Sequence, residues 1–288
     1  MRENTHITRE AALDFGKLET VKVEREGSTT IVTLNRPDKR NAMSPQLHFE
    51  MVDVLKELAE DSETRVLVLT GAGDSWCAGQ DIKLFFRDLD DKPKERHLAR
   101  LANHEWRWTL LSTFPKPTIA MVNGYCFGGA FVQLYACDFA IAADDAQFGL
   151  SEVNWGILPG GLVGKVIVDG LSYRDAVWYA MTGEPLDGKK AAEIRLINKS
   201  VPRDQLRSET LALAEQLARK NPQTLRTIKE SLRFVRGMSI DQAADYLLAK
   251  ERELRFMDPE SGRAKAMKQF LDEKTYRPGM GEYQRDEK

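Results

Sequence analysis

The most apolar stretches of this chain are short, unalternating and bounded by glycine. Residues 65–70 (RVLVLT), 118–122 (TIAMV) and 139–143 (FAIAA) have the pattern of strands covered on both faces. Ahead of them VKVEREGSTTIVTLNRP alternates with period two around Glu26, Gly27 and Ser28, which predicts a two-stranded hairpin. Ser44 and Pro45 supply a cap and a first-turn proline, and Leu47, Met51, Leu55 and Leu58 recur behind them at helical spacing. Residues 90–111 read as a charged loop and then an amphipathic helix carrying Trp106 and Trp108, and from Gly160 onward helical periodicity dominates. Strands alternating with helices over residues 18–198 predict an α/β core of repeated strand-strand-helix units. Residues 199–288 read as an all-helical extension without strands, and residues 1–17 as a loosely held polar tail.

Two strand exits carry the candidate chemistry. Residues 116–138, KPTIAMVNGYCFGGAFVQLYACD, read as a buried strand, a turn punctuated by Gly124, Gly128 and Gly129, and the first turns of a helix. GAGDSWCAGQD leaves the strand at 65–70 in the same manner. The first N–H groups of a helix lack intrahelical partners and sit at the positive end of its dipole, so they suit negative charge developing on an oxygen. A tight packing turn would use the same glycines. N–H groups near Gln80 and at Gly129 could together grip one carbonyl oxygen. Glu152 lies among Phe148, Leu150, Val153, Trp155 and Ile157, where desolvation raises a carboxyl pKa and makes it a usable acid and base. A glutamate there could instead pair with a buried arginine or cap a turn.

Composition narrows the partners. Lys+Arg 42 against Asp+Glu 44 gives a net charge of -2, which offers no field for nucleic acid or an acidic membrane and favours a compact polar ligand. The three cysteines, Cys77, Cys126 and Cys137, have neither a paired framework nor metal-ligand spacing, and read as buried thiols of a reducing compartment. The first residues lack the apolar core of a secretory signal, and no apolar run approaches the roughly 20 residues of a membrane helix, so a soluble cytoplasmic protein is expected. His6, His48, His97 and His104 lack metal-binding spacing, so no metal site is expected. Ser75, Ser112 and Ser151 lack a nucleophile elbow, and Gly71-Ala72-Gly73 lacks the lysine of a phosphate loop and the third glycine of a dinucleotide fingerprint.

Four spaced blocks, NRPDKRNAMS, VLVLTGAG with WCAGQDIK, AMVNGYCFGGAFVQLYACDFAIAA, and FGLSEVNWGILPG, resemble the signatures of the crotonase (enoyl-CoA hydratase/isomerase) superfamily. NWGILPG, HEWRWTLL and AMKQFLDEKTYRPG further resemble its hydroxycinnamoyl-CoA hydratase-lyase branch, so the likeness runs nearly end to end. The resemblance implies the crotonase (ClpP/crotonase-like) spiral of ββα units, with the C-terminal helices trimerising as a homotrimer or dimer of trimers. It implies an acyl-CoA thioester substrate, with no cofactor beyond the coenzyme A that is part of that substrate. It makes the Gln80 and Gly129 N–H groups the oxyanion hole and Glu152 the catalytic glutamate. It places Lys39, Arg40 and Ala42 beside the coenzyme A, with Arg40 its cation, and extends substrate contacts to Ala78, Asp81, Ile82, Phe85, Tyr125, Gly128, Val132, Trp155, Gly156, Tyr246 and Leu248.

Four positions depart from that branch's pattern. Gln80 replaces a methionine and Val132 a serine, and Phe85 and Leu248 stand where the branch grips a phenolic oxygen with two tyrosines. Val132 also occupies the place of the second glutamate of simple hydratases, which implies a one-glutamate mechanism. Either a phenol is held differently here, with Tyr246 and Tyr135 as substitutes, or another one-glutamate member's acyl group is the substrate.

Overall fold

The computed structural model describes residues 17–277, 279 and 281–285, so the expected tail at 1–17 lies outside the described residues but for Lys17. The alternating segment forms the expected hairpin, β1 (Val21–Glu26) against β2 (Thr29–Leu34), in register from Val21 opposite Leu34 to Glu26 opposite Thr29. α1 (Pro45–Glu60) starts at Ser44, whose hydroxyl accepts from the Leu47 N–H at 3.2 Å. Its Leu47, Met51, Leu55 and Leu58 stripe is fully buried, each side chain stabilising the fold by about 1.5–3 kcal/mol.

A strand-strand-helix unit then recurs. β3 (Val66–Gly71) and β4 (Ser75–Cys77) lead to α2 (Pro93–His104), and β5 (Thr118–Val122) and β6 (Tyr125–Phe127) lead to α3 (Ala130–Ala136). β7 (Phe139–Ala143) and β8 (Gln147–Gly149) are followed by α4 (Val163–Gly170) and α5 (Tyr173–Thr182). The chain continues through β9 (Leu186–Asp187), α6 (Gly188–Glu193), β10 (Lys199–Val201), α7 (Leu206–Ala218), α8 (Pro222–Val235), α9 (Ile240–Met257) and α10 (Gly262–Lys268). The first strand of each unit joins a six-stranded sheet ordered β1-β2-β3-β5-β7-β10, parallel from β2 onward, and the second joins a four-stranded sheet ordered β4-β6-β8-β9. All of β3 and β5 is buried, as runs without alternation require.

One expectation is corrected. Strands do not stop before residue 198: Lys199–Val201 pairs parallel with β7 and closes the larger sheet, and α7 lies across β2, β3, β5 and β7. A three-residue strand that begins with lysine carries no periodic signal. It is held by its surroundings, since Asn198 donates its N–H to the Ala140 carbonyl at 3.0 Å and accepts the Ala140 N–H on its side chain at 2.8 Å. The helical extension proper is the packed pair α8 and α9 with the segments after it. Cys77, Cys126 and Cys137 are free and buried, and burial pushes the Cys77 thiol up to about 11. Among the described residues no helix is long and apolar enough to cross a membrane.

Candidate active site

Two chain turns meet at the ends of β4 and β6. In the first, Met43 donates its N–H to the Gly79 carbonyl at 2.8 Å and Asp81 donates to the Met43 carbonyl at 3.0 Å, an isolated parallel bridge that turns the Gln80 N–H the other way. In the second, Gly128 adopts φ +51° and donates to the Gly149 carbonyl at 2.9 Å, and Gly129 caps α3. The turns touch: a Cβ at Gly79, itself at φ +91°, would stand 2.9 Å from the Phe127 carbonyl oxygen and 3.4 Å from the Gly129 nitrogen. The hydrogen bonds of these turns use neither the Gln80 nor the Gly129 N–H. Both residues line a cleft of about 1060 Å³ that also holds Ala78, Ile82, Phe85, Tyr125, Gly128, Val132, Glu152 and Trp155.

Glu152 enters this cleft from the short helical turn Ser151–Trp155 after β8, which Gly156 ends in the left-handed region at φ +67°. Its carboxyl lies over the glycine turn, with Oε1 3.0 Å and the carboxyl carbon 3.5 Å from where a Cβ on Gly128 would be. Oε2 is buried without a hydrogen-bond partner, and no ion pair engages the group among the described residues. Burial raises its pKa above the ordinary carboxyl value. Of the readings open from sequence, pairing with a buried arginine is thus set aside. A carboxylate with an unpartnered oxygen beside two free N–H donors can move a proton while those donors hold an oxyanion.

Beneath Gln80 lies a buried polar chain that sequence reasoning missed. Trp106 donates its indole N–H to His48 Nδ1 at 2.8 Å, so the neutral ring carries its proton on Nε2 and donates to Gln80 Oε1 at 2.9 Å. Gln80 Nε2 donates to Asn103 Oδ1 at 2.7 Å, which also accepts from Arg107 Nη1 at 2.7 Å. Turning the Gln80 amide over would place its oxygen 2.8 Å from Arg107 Nη1 but set its NH2 against the His48 Nε2–H, so we assign the first orientation. Burial and the nearby Arg107 charge take the His48 pKa down to about 3, and burial brings Arg107 down to about 10, still a cation at neutral pH. Trp106 and Arg107 are both buried in the π-helical turn, Glu105–Leu110, that continues α2. The sequence gives no sign of this π-helical turn.

The remaining expected residues divide. The Arg40 guanidinium sits 4.7 Å from the centre of the Tyr125 ring at the cleft wall, on a backbone held by Asn41, whose side chain donates to the Ala72 and Ser75 carbonyls at 2.9 and 2.7 Å. Lys39 is exposed beside Asp38 and does not line the cleft. Asp81 serves the loop: it caps Ile82–Phe86 through the Leu84 N–H at 2.9 Å and pairs with Arg36 at 3.0 Å, and Arg36 also donates to the Ala42 carbonyl. Asp81 and Ala42 therefore shape the turn without lining the cleft. Gly156 likewise stays outside it. Phe85 packs edge-on against His48, with ring centres 5.2 Å apart. Tyr246 and Leu248 are not brought to this chain's cleft: Tyr246 packs on Phe234, and Leu248 lies exposed on α9. Tyr135 stacks on Trp108, accepts from Arg236 and does not line the cleft. Arg100, His104, Ile157, Leu158 and Leu162 also line the cleft, none of them expected from sequence as a substrate contact. Among the described residues no group of His, Cys, Asp and Glu is placed to hold a metal ion.

A spiral of ββα units with two N–H donors and a half-buried glutamate at its strand exits defines an enzyme class, and the chain belongs to the enoyl-CoA hydratase/isomerase family, whose model matches residues 24–277. The hydroxycinnamoyl-CoA hydratase-lyase of Pseudomonas fluorescens is 51% identical over 272 residues, 94% of this chain and 98% of that protein. The 2,3-dehydroadipyl-CoA hydratase of Escherichia coli K12 is 30% identical over 256 residues, 88% of this chain and 96% of its own. The crystal structure of an enoyl-CoA hydratase from Polaromonas sp. JS666 superposes with a TM-score of 0.78 at 29% identity, covering 88% of this chain and 97% of that one.

Proposed function

We propose that this chain is a hydratase-lyase for 4-hydroxycinnamoyl-CoA thioesters such as feruloyl-CoA and coumaroyl-CoA, releasing a vanillin-type aromatic aldehyde and acetyl-CoA. The observation that carries this is the placing of the Glu152 carboxylate, one oxygen of which has no partner, over Gly128 and beside the free Gln80 and Gly129 N–H groups. Val132 stands where a second acid would be needed for two-glutamate hydration. The 51% identity to a hydratase-lyase over nearly both whole chains favours this member of the family over a simple hydratase.

The chemistry balances with one acid-base group. Glu152 takes a proton from water as the oxygen bonds to Cβ, and the displaced π pair becomes a thioester enolate held by the two N–H groups. The protonated Glu152 returns its proton to Cα, giving the β-hydroxy thioester. Glu152 then takes the β-hydroxyl proton, the aldehyde C=O forms, the Cα–Cβ bond breaks, and its electron pair becomes the acetyl-CoA enolate in the same hole. Protonation of that enolate regenerates the carboxylate. Each N–H donor is worth about 3 kcal/mol of barrier in such a site. The steps consume only water, so no cofactor beyond substrate-borne coenzyme A is invoked.

The finer reading is a cytoplasmic homotrimer or dimer of trimers, without nucleic-acid or membrane partners. It is supported by large apolar side chains that one chain leaves exposed on α9, Ile240 and Phe256 among them. Light scattering on the eluting protein measures the assembly.

The deciding assay follows aldehyde and acetyl-CoA from feruloyl-CoA, 4-coumaroyl-CoA and cinnamoyl-CoA with wild type and Glu152→Gln. Aldehyde from the two phenolic thioesters, lost in the variant, supports the proposal. Hydration or isomerisation of another enoyl-CoA with no aldehyde from any of the three replaces it with another one-glutamate reaction.

A further inference from the structure

The hydrogen-bonded chain under Gln80 ends on a charge that the mechanism above does not use. Arg107 is 6% exposed, its Nε is buried without a partner, and no carboxylate among the described residues pairs with it. Its Nη1 lies 3.6 Å from where a Cβ on Gly129 would be, and Gln80 Cγ stands at that same distance. Through Asn103, which accepts from both, the guanidinium is tied to the side chain whose backbone N–H is one of the two oxyanion donors. An uncompensated cation is strongly disfavoured in a resting interior. In the reaction proposed above, a counter-charge arises beside it on the thioester oxygen during turnover.

We propose that Arg107 is that counter-charge's partner: a buried positioning residue whose charge stabilises the thioester enolate formed between Gln80 and Gly129. Hydration and carbon–carbon cleavage both place negative charge on that oxygen, so one fixed cation serves both steps. A permanent carboxylate beside Arg107 would cancel its field at the thioester oxygen, and the unpaired state preserves it. No proton or bond passes to Arg107. It also fixes the Gln80 side chain through Asn103 and so braces the first oxyanion turn. The substrate's aryl group rests on the hydratase-lyase reading, but any acyl-CoA enolate held there would meet the same charge.

The test compares wild type with Arg107→Gln, Arg107→Met and Arg107→Lys, with thermal unfolding and calorimetric acetyl-CoA binding on each. Methionine is the second neutral variant because an apolar side chain suits the buried site if glutamine folds poorly. Two rates are read: kcat and KM on feruloyl-CoA, and exchange of the methyl protons of acetyl-CoA with D2O, which requires the enolate alone. Loss of the charge is expected to lower kcat and the exchange rate together by roughly 10- to 100-fold. KM and acetyl-CoA affinity should stay within about threefold, and Arg107→Lys should recover most of the loss. Unchanged exchange in a folded neutral variant overturns the proposal. So does a loss confined to KM, or one seen only for acyl groups that carry their own carboxylate, since Arg107 would then bind a resident anion. If wild type releases no aldehyde, the hydratase-lyase reading fails by itself, and the exchange rates still decide the role of Arg107.

Discussion

Gly128→Ala separates the backbone of the site from its chemistry. Gly128 sits at φ +51°, where an alanine costs about 1–2 kcal/mol relative to glycine. For a chain of this size that corresponds to a fall in Tm of roughly 2–8 °C. The new Cβ would also stand 3.0 Å from Glu152 Oε1, so the carboxylate must retreat by roughly half an ångström to reach ordinary contact. A 1 Å misplacement of a reacting group can cost about 100-fold, so kcat should fall by roughly 10- to 100-fold. Gly129→Ala is the control for stability: its φ is -51° and its nearest neighbour, Met43 Cε, would lie at 3.4 Å. Tm by calorimetry and kcat by aldehyde release are measured for both. Wild-type kcat in folded Gly128→Ala would show that Glu152 does not work from this position. An equal loss of Tm in both variants would refute the strain argument.

Glu152 is raised by burial, so its base form is lost as pH falls through a value above 4.5; the acid limb of kcat/KM should lie above the ordinary carboxyl range. Its charged form is disfavoured in the fold, so its contribution to stability is present at low pH and lost as pH rises through that pKa. Urea unfolding of Glu152→Gln should lack that fall. His48 runs in the opposite direction: the unfolded ring takes a proton below 6.5 that the folded ring refuses until about 3, so stability is lost on acidification between those values. The slope for this group approaches about 1.4 kcal/mol per pH unit, and urea midpoints at pH 7.5, 6.5 and 5.5 should fall more steeply for wild type than for His48→Asn. Arg40→Ala should raise KM for CoA thioesters by about 5- to 10-fold at low salt with kcat little changed, and less in high salt. An equal effect on kcat would place Arg40 elsewhere than at the coenzyme A.

Local chemistry made much of this molecule readable before it was folded. The hairpin follows from alternation around Gly27, α1 from its serine cap and leucine stripe, and the buried strands from apolar runs that end in glycine. The two glycine turns were legible for the same reason: their cues lie within a few residues of one another. What the sequence could not carry were relations between distant segments. β10 is a strand only because β7 and Asn198 offer it partners. Tyr246 stays on Phe234 because α8 and α9 pack together. Arg107, flanked by two tryptophans, lies buried in the π-helical turn after α2, and Asn103, Gln80 and Gly129 surround it with no carboxylate among the described residues. Periodicity reports which face of one element is apolar, whereas the charge state and partners of a buried group depend on several elements at once, and those the tertiary structure alone decided.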